Sequence, residues 1–275
     1  FLKNFWRIRM SITTSYQDLN KIFNHNICAK DLAEFLVSFD FDQQANNVKE
    51  IVKGKGYSVI GVRKNGDVIG YVITDELKDN AILADFMKDI NDENVISENE
   101  GIMETLNKLK ENDYYFVKIL NHYGGIVTRS DIKKISFKLW IYGTISIFEI
   151  LLLDILRLLN HNENTMKKLL SEKRFNSAKR IFKLRKDKND FIDFLECLQL
   201  TDKFGICILK NKSILANLNL SGRQAQSFIT KIEELRNNIS HGNDYDDIEF
   251  DEFYTIMKFI HNFIEKFEKD ELDYK

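Results

Sequence analysis

The sequence predicts two fold classes in succession: a doubled α+β unit over residues 21–135, then an all-α bundle over residues 136–275. Three observations predict them. Short β-rich runs bounded by turn residues occur twice in the first part, and Gly70 and Gly125 hold the same place in the two copies, 55 residues apart. Strand signals stop near Ser136. From there the apolar residues recur at the spacing of amphipathic helices. At 275 residues the chain is long enough for two cores. Residues 1–20 precede both as an extension, whose Phe5, Trp6, Ile8 and Met10 would pack on a neighbouring domain or a partner chain.

In the first copy a short helix at 31–37 and another through Val48, Ile51 and Val52 lead to the strand YSVIGVR (57–63). Asn65-Gly66 turns it into VIGYVI (68–73), and a further helix starts at Thr74. Asn-Gly between two β-rich runs is the strongest short hairpin signal, because both turn residues must take positive φ. The second copy repeats the order: helices at 84–87 and 99–110, the strand YYFVKIL (114–120), a turn at 121–124 and GIVTRSDI (125–132). Such a doubling predicts a pseudo-symmetric pair, each half burying its sheet against the other.

GIVTRSDI carries chemistry as well as fold. A strand ends at Thr128, whose hydroxyl joins the free N–H groups of a helix start in attracting phosphate. Ser130 adds a second hydroxyl, and Asp131 can accept hydrogen bonds from ribose hydroxyls. The alternative is that Thr128 or Ser130 only caps the helix, with Asp131 complementing its dipole. In this doubled setting the segment resembles the end of a CBS domain (named after cystathionine β-synthase), a module that occurs in tandem. The resemblance implies regulatory binding of an adenine nucleotide (AMP, ADP or ATP) at Thr128, Ser130 and Asp131. The first copy departs from it. GYVITDEL sets Ile73 against Thr128 and Glu76 against Asp131, which leaves Thr74 and Glu76 as lesser candidates and predicts one competent site.

Residues 138–159 form an apolar run of membrane-spanning length, interrupted by Glu149 and Asp154. Each charge would be costly in a bilayer, so the run reads as the buried helix of a bundle. Glu149 is expected to pair with Arg236, a part as catalytic auxiliary or a place near an interface being the alternatives. Between 167 and 188 ten Lys and Arg stand against two acids. Lys179, Arg180, Lys183 and Arg185 are candidates for contact with an RNA backbone. An ordinary solvated helix face is the alternative. One or two short helices follow over 190–220.

The bundle is organised around LRNNISHGND (235–244). Ala225, Phe228, Ile229, Ile232, Leu235 and Ile239 make one helical stripe, with Ser221 and Gln224 as a capping box and Gly242 as the stop. Arg236 falls at the border of the buried face, and His241, where the helix unwinds, can turn back toward it. A helix C-terminus favours a protonated imidazole, and a guanidinium can grip a phosphate through two hydrogen bonds. Together they suit cleavage of RNA by its own 2′-hydroxyl, without a metal. A helix end with a surface histidine is the alternative.

An apolar helix running into LRNNISHG, an acidic turn and a last amphipathic helix (253–267) resemble the HEPN family (higher eukaryotes and prokaryotes nucleotide-binding domain). The resemblance covers about the last 140 residues. It implies an all-helical, metal-independent endoribonuclease working as a homodimer, with Arg236, Asn237 and His241 as catalytic residues. It further implies a role as a toxin or in anti-phage defence, with an antitoxin or other partner protein. Family members paired with nucleotidyltransferase antitoxins carry a Tyr two residues after the His. Here Asn243 stands there and Tyr245 two further on, which speaks against modification of this Tyr.

The net charge of −2 excludes a global field for nucleic acid, so any such surface is local. Asp244, Asp246, Asp247, Glu249, Asp251 and Glu252 read as acids at a helix start, and no metal is expected. Cys28, Cys197 and Cys207 have neither metal nor redox spacing, which points to reduced thiols, a cytoplasmic protein and no membrane partner. The function expected is a nucleotide-regulated endoribonuclease cutting RNA in a dimer cleft. The alternatives are a non-catalytic nucleotide-sensing scaffold or partner-binding dimer, and an RNA-binding module that never cuts.

Overall fold

The computed structural model describes residues 26–159, 161–188, 191–241 and 248–272, with Asp18, Lys21 and Ile22 ahead of them. The expectations for Phe5, Trp6, Ile8 and Met10, and for Gly242, Asn243, Asp244, Tyr245, Asp246 and Asp247, lie outside the described residues. Two compact units divide the chain: Asn24–Phe137, and beyond it Lys138–Lys275.

The first unit holds two four-stranded sheets of one design. Its strands are β1 (Glu34–Phe35), β2 (Ser38–Asp40), β3 (Val59–Lys64), β4 (Asp67–Ile73), β5 (Lys88–Asp89), β6 (Val95–Ser97), β7 (Tyr114–Ile119) and β8 (His122–Thr128). One sheet runs β2-β3-β4-β5, the other β6-β7-β8-β1. Each begins with a parallel pair, β2 with β3 or β6 with β7. A parallel pair needs a crossover, here α2 (Ala45–Val52) or α3 (Ile102–Glu111), and a hairpin follows. The helices form because Ala45, Val48 and Val52, and Ile102, Leu106 and Leu109, fall on one face and are buried there. Both hairpins slip register at the same place, Val62/Arg63 and Val117/Lys118.

Asn65 and Gly66 take positive φ (54° and 92°), as the Asn-Gly signal requires. In the second copy the turn is Leu120 and Asn121 (φ 47° and 70°), which corrects the expected turn at 121–124. Register explains it: His122 already pairs with Ile119, so only two residues are left to turn. The helix expected at 31–37 is likewise shorter. It is α1 (Ala29–Leu32), and Glu34–Phe35 turn extended because β8 offers them a ladder, with the Leu36 N–H donating to Gly124 O at 3.0 Å. The counterpart of α1 is a 3-10 turn at Leu83–Phe86. Aspartates close both turns: Asp31 accepts from the Cys28 N–H (2.8 Å) and Asp85 from the Ile82 N–H (3.1 Å).

Gly70 and Gly125 sit where an edge segment crosses a hairpin strand. A Cβ at Gly70 would lie 2.6 Å from Met87 Cγ and 2.7 Å from Lys88 O. At Gly125 it would lie 3.2 Å from the Cβ atoms of Ala33 and Val117. Tyr71, Tyr114 and Phe116 pack together where β4, β7 and β8 meet, Tyr114 edge-on to the other two and Tyr71 tilted on the fully buried Phe116.

The second unit is helical: α4 (Ile135–Leu158, entering from the first unit), α5 (Glu163–Leu169), α6 (Glu172–Lys186), α7 (Leu200–Phe204), α8 (Lys212–Asn217), α9 (Gly222–Ser240) and α10 (Phe250–Leu272). A 3-10 turn at Phe194–Cys197 and a π turn at Gly205–Leu209 link the middle elements. By length and composition α4 could cross a membrane, but 61% of its apolar window is buried in the protein. Trp140, Ile141, Ile145, Phe148 and Leu152 have no exposed surface, and Phe148 meets Phe263 of α10 edge-on at 5.0 Å. On α9 the stripe Ala225, Ile229, Ile232 and Leu235 is buried, and Phe228 stacks on Phe259 of α10 at 4.6 Å. The capping box forms as expected: Gln224 N–H donates to Ser221 Oγ (3.2 Å) and Ser221 N–H to Gln224 Oε1 (2.9 Å).

Candidate functional site

Glu149 and Arg236 meet. Glu149, half-buried on α4, accepts from Arg236 Nη1 of α9 at 3.2 Å through one carboxylate oxygen. Its other oxygen accepts from Lys203 Nζ of α7 at 2.7 Å. The Lys203 residue is 4% exposed, so Glu149 bridges a cation sealed inside the bundle and one at its surface. Below them Asp202, 8% exposed, faces Arg174 Nε at 3.6 Å. Burial pushes the Asp202 carboxyl above its ordinary range, against the pull of Arg174, the Gln199 N–H and Lys203.

Arg236 keeps part of its side chain in solvent, and Asn237 is exposed. His241, the last residue of the helical ladder, is exposed as well. Its N–H donates to Asn237 O at 3.1 Å and closes the last turn, while its own backbone (φ −93°, ψ 4°) has left the helix. Five residues along a helix lie about 140° apart around the axis. Among the described residues no hydrogen bond joins the two side chains, and the imidazole has no hydrogen-bonding partner. One chain therefore presents an arginine and a histidine at one helix end without a hydrogen bond between them.

The basic stretch is two helices, since Ser171 caps α6 by accepting from the Arg174 N–H. Lys179, Arg180, Lys183 and Arg185 are all exposed. Lys179 pairs with Glu163 at 2.9 Å and lies over the Phe175 ring, and Arg174 turns inward to Asp202 and Gln199. Arg180 lies on the face opposite the buried Phe175 and Ala178 and Lys183 on its flank, both without an acidic partner among the described residues.

In the first unit the end of β8 is a closed polar corner. Asp131, 5% exposed, accepts from Thr128 N–H (2.6 Å) and Thr128 Oγ1 (3.1 Å) through one oxygen, while the other meets Lys134 Nζ at 2.7 Å. Thr128 Oγ1 also shares a hydrogen bond with Ser130 Oγ (2.7 Å). Lys134 donates further to Leu32 O (2.8 Å) and pairs with Glu34 (3.2 Å). The corner thus performs the capping role, and a ribose reaching Asp131 has Lys134 as its competitor. In the first copy Glu76 pairs with Lys88 at 2.8 Å, and Thr74 Oγ1 donates to Tyr57 O at 2.8 Å. Thr74 also borders an open groove of about 1010 Å³ whose other lining includes Asn46, Lys53, Tyr57, Asp75 and Asn80. No group of three or more His, Cys, Asp or Glu that could hold a metal occurs among the described residues.

Sequence reasoning missed Lys203 and Lys134. Lys203 had a signal, a lone cation in the apolar run LTDKFGICIL, of the same kind that marked Glu149. Lys134 had only its place three residues after Asp131, since its other partners Leu32 and Glu34 lie about a hundred residues away.

No protein-family model matches the chain, and no curated protein matches it. Solved structures resemble its N-terminal part, and they are CBS domain proteins. A hemolysin-like protein containing a CBS domain from Oenococcus oeni is 18% identical, with 43% of this chain and 95% of that one covered and a TM-score of 0.34. A CBS domain-containing protein of Bacillus anthracis is 18% identical over 41% of this chain and 94% of its own (TM-score 0.35). The CBS domain of a bacterial CNNM/CorC family Mg2+ transporter in complex with ATP is 13% identical over 39% and 85% (TM-score 0.33).

Proposed function

We propose that the chain is a metal-independent endoribonuclease of the HEPN kind, acting as a homodimer under control of an adenine nucleotide bound by the first unit. The observation that carries the reading is the end of α9, where a guanidinium held by Glu149 and, five residues on, an unpartnered imidazole both reach solvent. Two copies facing each other would supply what one chain does not assemble. Arg236 would stabilise the charge of the phosphorane, Asn237 would orient the phosphate, and His241 would move a proton between the 2′-hydroxyl and the leaving oxygen. The product is an RNA end with a 2′,3′-cyclic phosphate. The exposed cations of α6 would hold the RNA backbone, and the protein would act in the cytoplasm. A nucleotide at Thr128, Ser130 and Asp131 would compete with Lys134, and regulation requires that it favour one dimer state over another. A toxin or defence role, with a partner protein, follows from the HEPN resemblance.

One observation favours a second reading, a non-catalytic sensing scaffold: Arg236 already has a carboxylate partner, as a structural arginine would. Single-stranded RNA incubated in EDTA with the wild type, Arg236→Ala and His241→Ala separates the two. Cleavage by the wild type alone, with all three proteins folded by circular dichroism, is the result expected. RNA left intact by the wild type, with and without ATP or AMP, would favour the scaffold.

A further inference from the structure

We infer that Lys203 is a positioning residue that keeps Arg236 available to an anion. The inference rests on the nuclease reading and deepens it: the anion is a phosphodiester of RNA. Charge counting leads to it. Lys203 and Arg236 are two cations on the single carboxylate of Glu149, so the cluster carries one positive charge in surplus. The next acid inward, Asp202, is answered by Arg174 and does not remove it. A surplus charge beside a buried ion pair is poorly solvated and seeks a counter-ion.

The geometry shows which cation is free to find one. Lys203 is sealed and lies at 2.7 Å from Glu149, whereas Arg236 is partly exposed and uses one nitrogen at 3.2 Å. Glu149 is the only acidic partner of Arg236 among the described residues. A guanidinium has five N–H donors in a planar fork, and a bare carboxylate would take two of them bidentately and cancel the charge. Lys203 occupies the oxygen that such a pair requires. The fork of Arg236 is thereby anchored at one corner, aimed outward and left positive. Remove the Lys203 charge, and Glu149 turns from an anchor into a competitor for the arginine.

The test uses the full chain in EDTA with two probes: a fluorescent 2′-O-methyl RNA, which lacks the attacking hydroxyl, for binding, and ordinary RNA for cleavage. Lys203→Met is expected to weaken binding about tenfold, the worth of one charge-assisted hydrogen bond, and to suppress cleavage. Lys203→Arg, which keeps the charge, is expected to bind within about threefold of the wild type, a difference smaller than that bond is worth. The double variant Lys203→Met/Glu149→Gln is expected to regain the binding lost in Lys203→Met, because a neutral amide cannot cancel Arg236. It also keeps the inference testable if Lys203→Met fails to fold, since it leaves no buried charge unpaired. A folded Lys203→Met that binds like the wild type would overturn the inference, as would a folded double variant that does not bind. A wild type that neither binds nor cuts RNA would remove the nuclease reading itself. Binding and cutting by the wild type, unaffected by Lys203→Met, would remove only the role of Lys203.

Discussion

The two copies of the first unit share a backbone down to the position of a register slip, yet they close their polar corners with different chemistry. After β8, Thr128, Ser130 and Asp131 bond to one another within four residues and recruit Lys134. After β4, Ile73 and Glu76 replace Thr128 and Asp131, and the strap is made by Thr74 to Tyr57 O and by Glu76 to Lys88. At the position equivalent to Thr74 the second copy has Arg129, which donates to Leu109 O at 2.7 Å and so ties its own hairpin to α3. Apolar pattern and turn residues determine the repeated backbone, while the corner is free to vary so long as its donors and acceptors find partners.

The sharpest way to test this difference is to remove the two acids. Asp131→Ala deletes a buried carboxylate with three partners and leaves the Thr128 N–H unsatisfied, for an expected loss of about 2–3 kcal/mol. Glu76→Ala removes one partly exposed ion pair and should cost about 0.5 kcal/mol. Urea unfolding of the two variants would check the ranking, and equal losses would contradict it. The glycines come next. A Cβ at Gly70 meets Met87 and the Lys88 carbonyl well inside contact distance, whereas at Gly125 it meets two Cβ atoms at a tight but bearable 3.2 Å. Gly70→Ala should therefore cost about 2 kcal/mol and Gly125→Ala about 1 kcal/mol, read as shifts in denaturation midpoint.

An effect of the size of the Asp131 loss, opposite in sign, is expected from ligand. ATP or AMP at a hundredfold excess over Kd would stabilise the wild type by about 2.7 kcal/mol, and neither should shift the melting of Asp131→Asn. An equal shift in both would move binding away from this corner. Smallest of all, and without a stability change, is the pair Cys28 and Ile82, which begin equivalent turns. Cys28 is the partly exposed thiol, while burial raises the thiol pKa of Cys197 and Cys207. A thiol reagent near pH 8 should label one site per native chain, identified by peptide mass as Cys28.

Legibility in the sequence follows the range of the interactions. The first hairpin was readable because Asn65-Gly66 and the apolar runs beside it are local, and the Ser221–Gln224 box was readable for the same reason. Strands of two or three residues were not, since β1 and β5 exist only where a distant hairpin offers a ladder; Glu34 and Phe35 therefore read as helix. At the candidate site the pairing of Glu149 with Arg236 was legible as a carboxylate in an apolar stripe that had to find a cation. That this carboxylate serves two cations was not, because Lys203 sits in a run of short, irregular helices whose packing no periodicity announces.

The crossing between β1 and β2 has a consequence for how the first unit is made. Leu36 donates to Gly124 of one sheet, and the very next residue, Val37, accepts from Gly61 of the other. The earliest strand is thus completed by the latest, and the second hairpin must leave the ribosome before the first sheet-edge segment has a partner. Contacts spanning about ninety residues make closure slow and all-or-none. A fragment ending after β4 would expose Glu34–Phe35 as an unpaired edge, prone to borrow a ladder from another chain. The repeat was doubled in sequence, but it folds as a single knot-free clasp whose two halves cannot be separated without unfastening both.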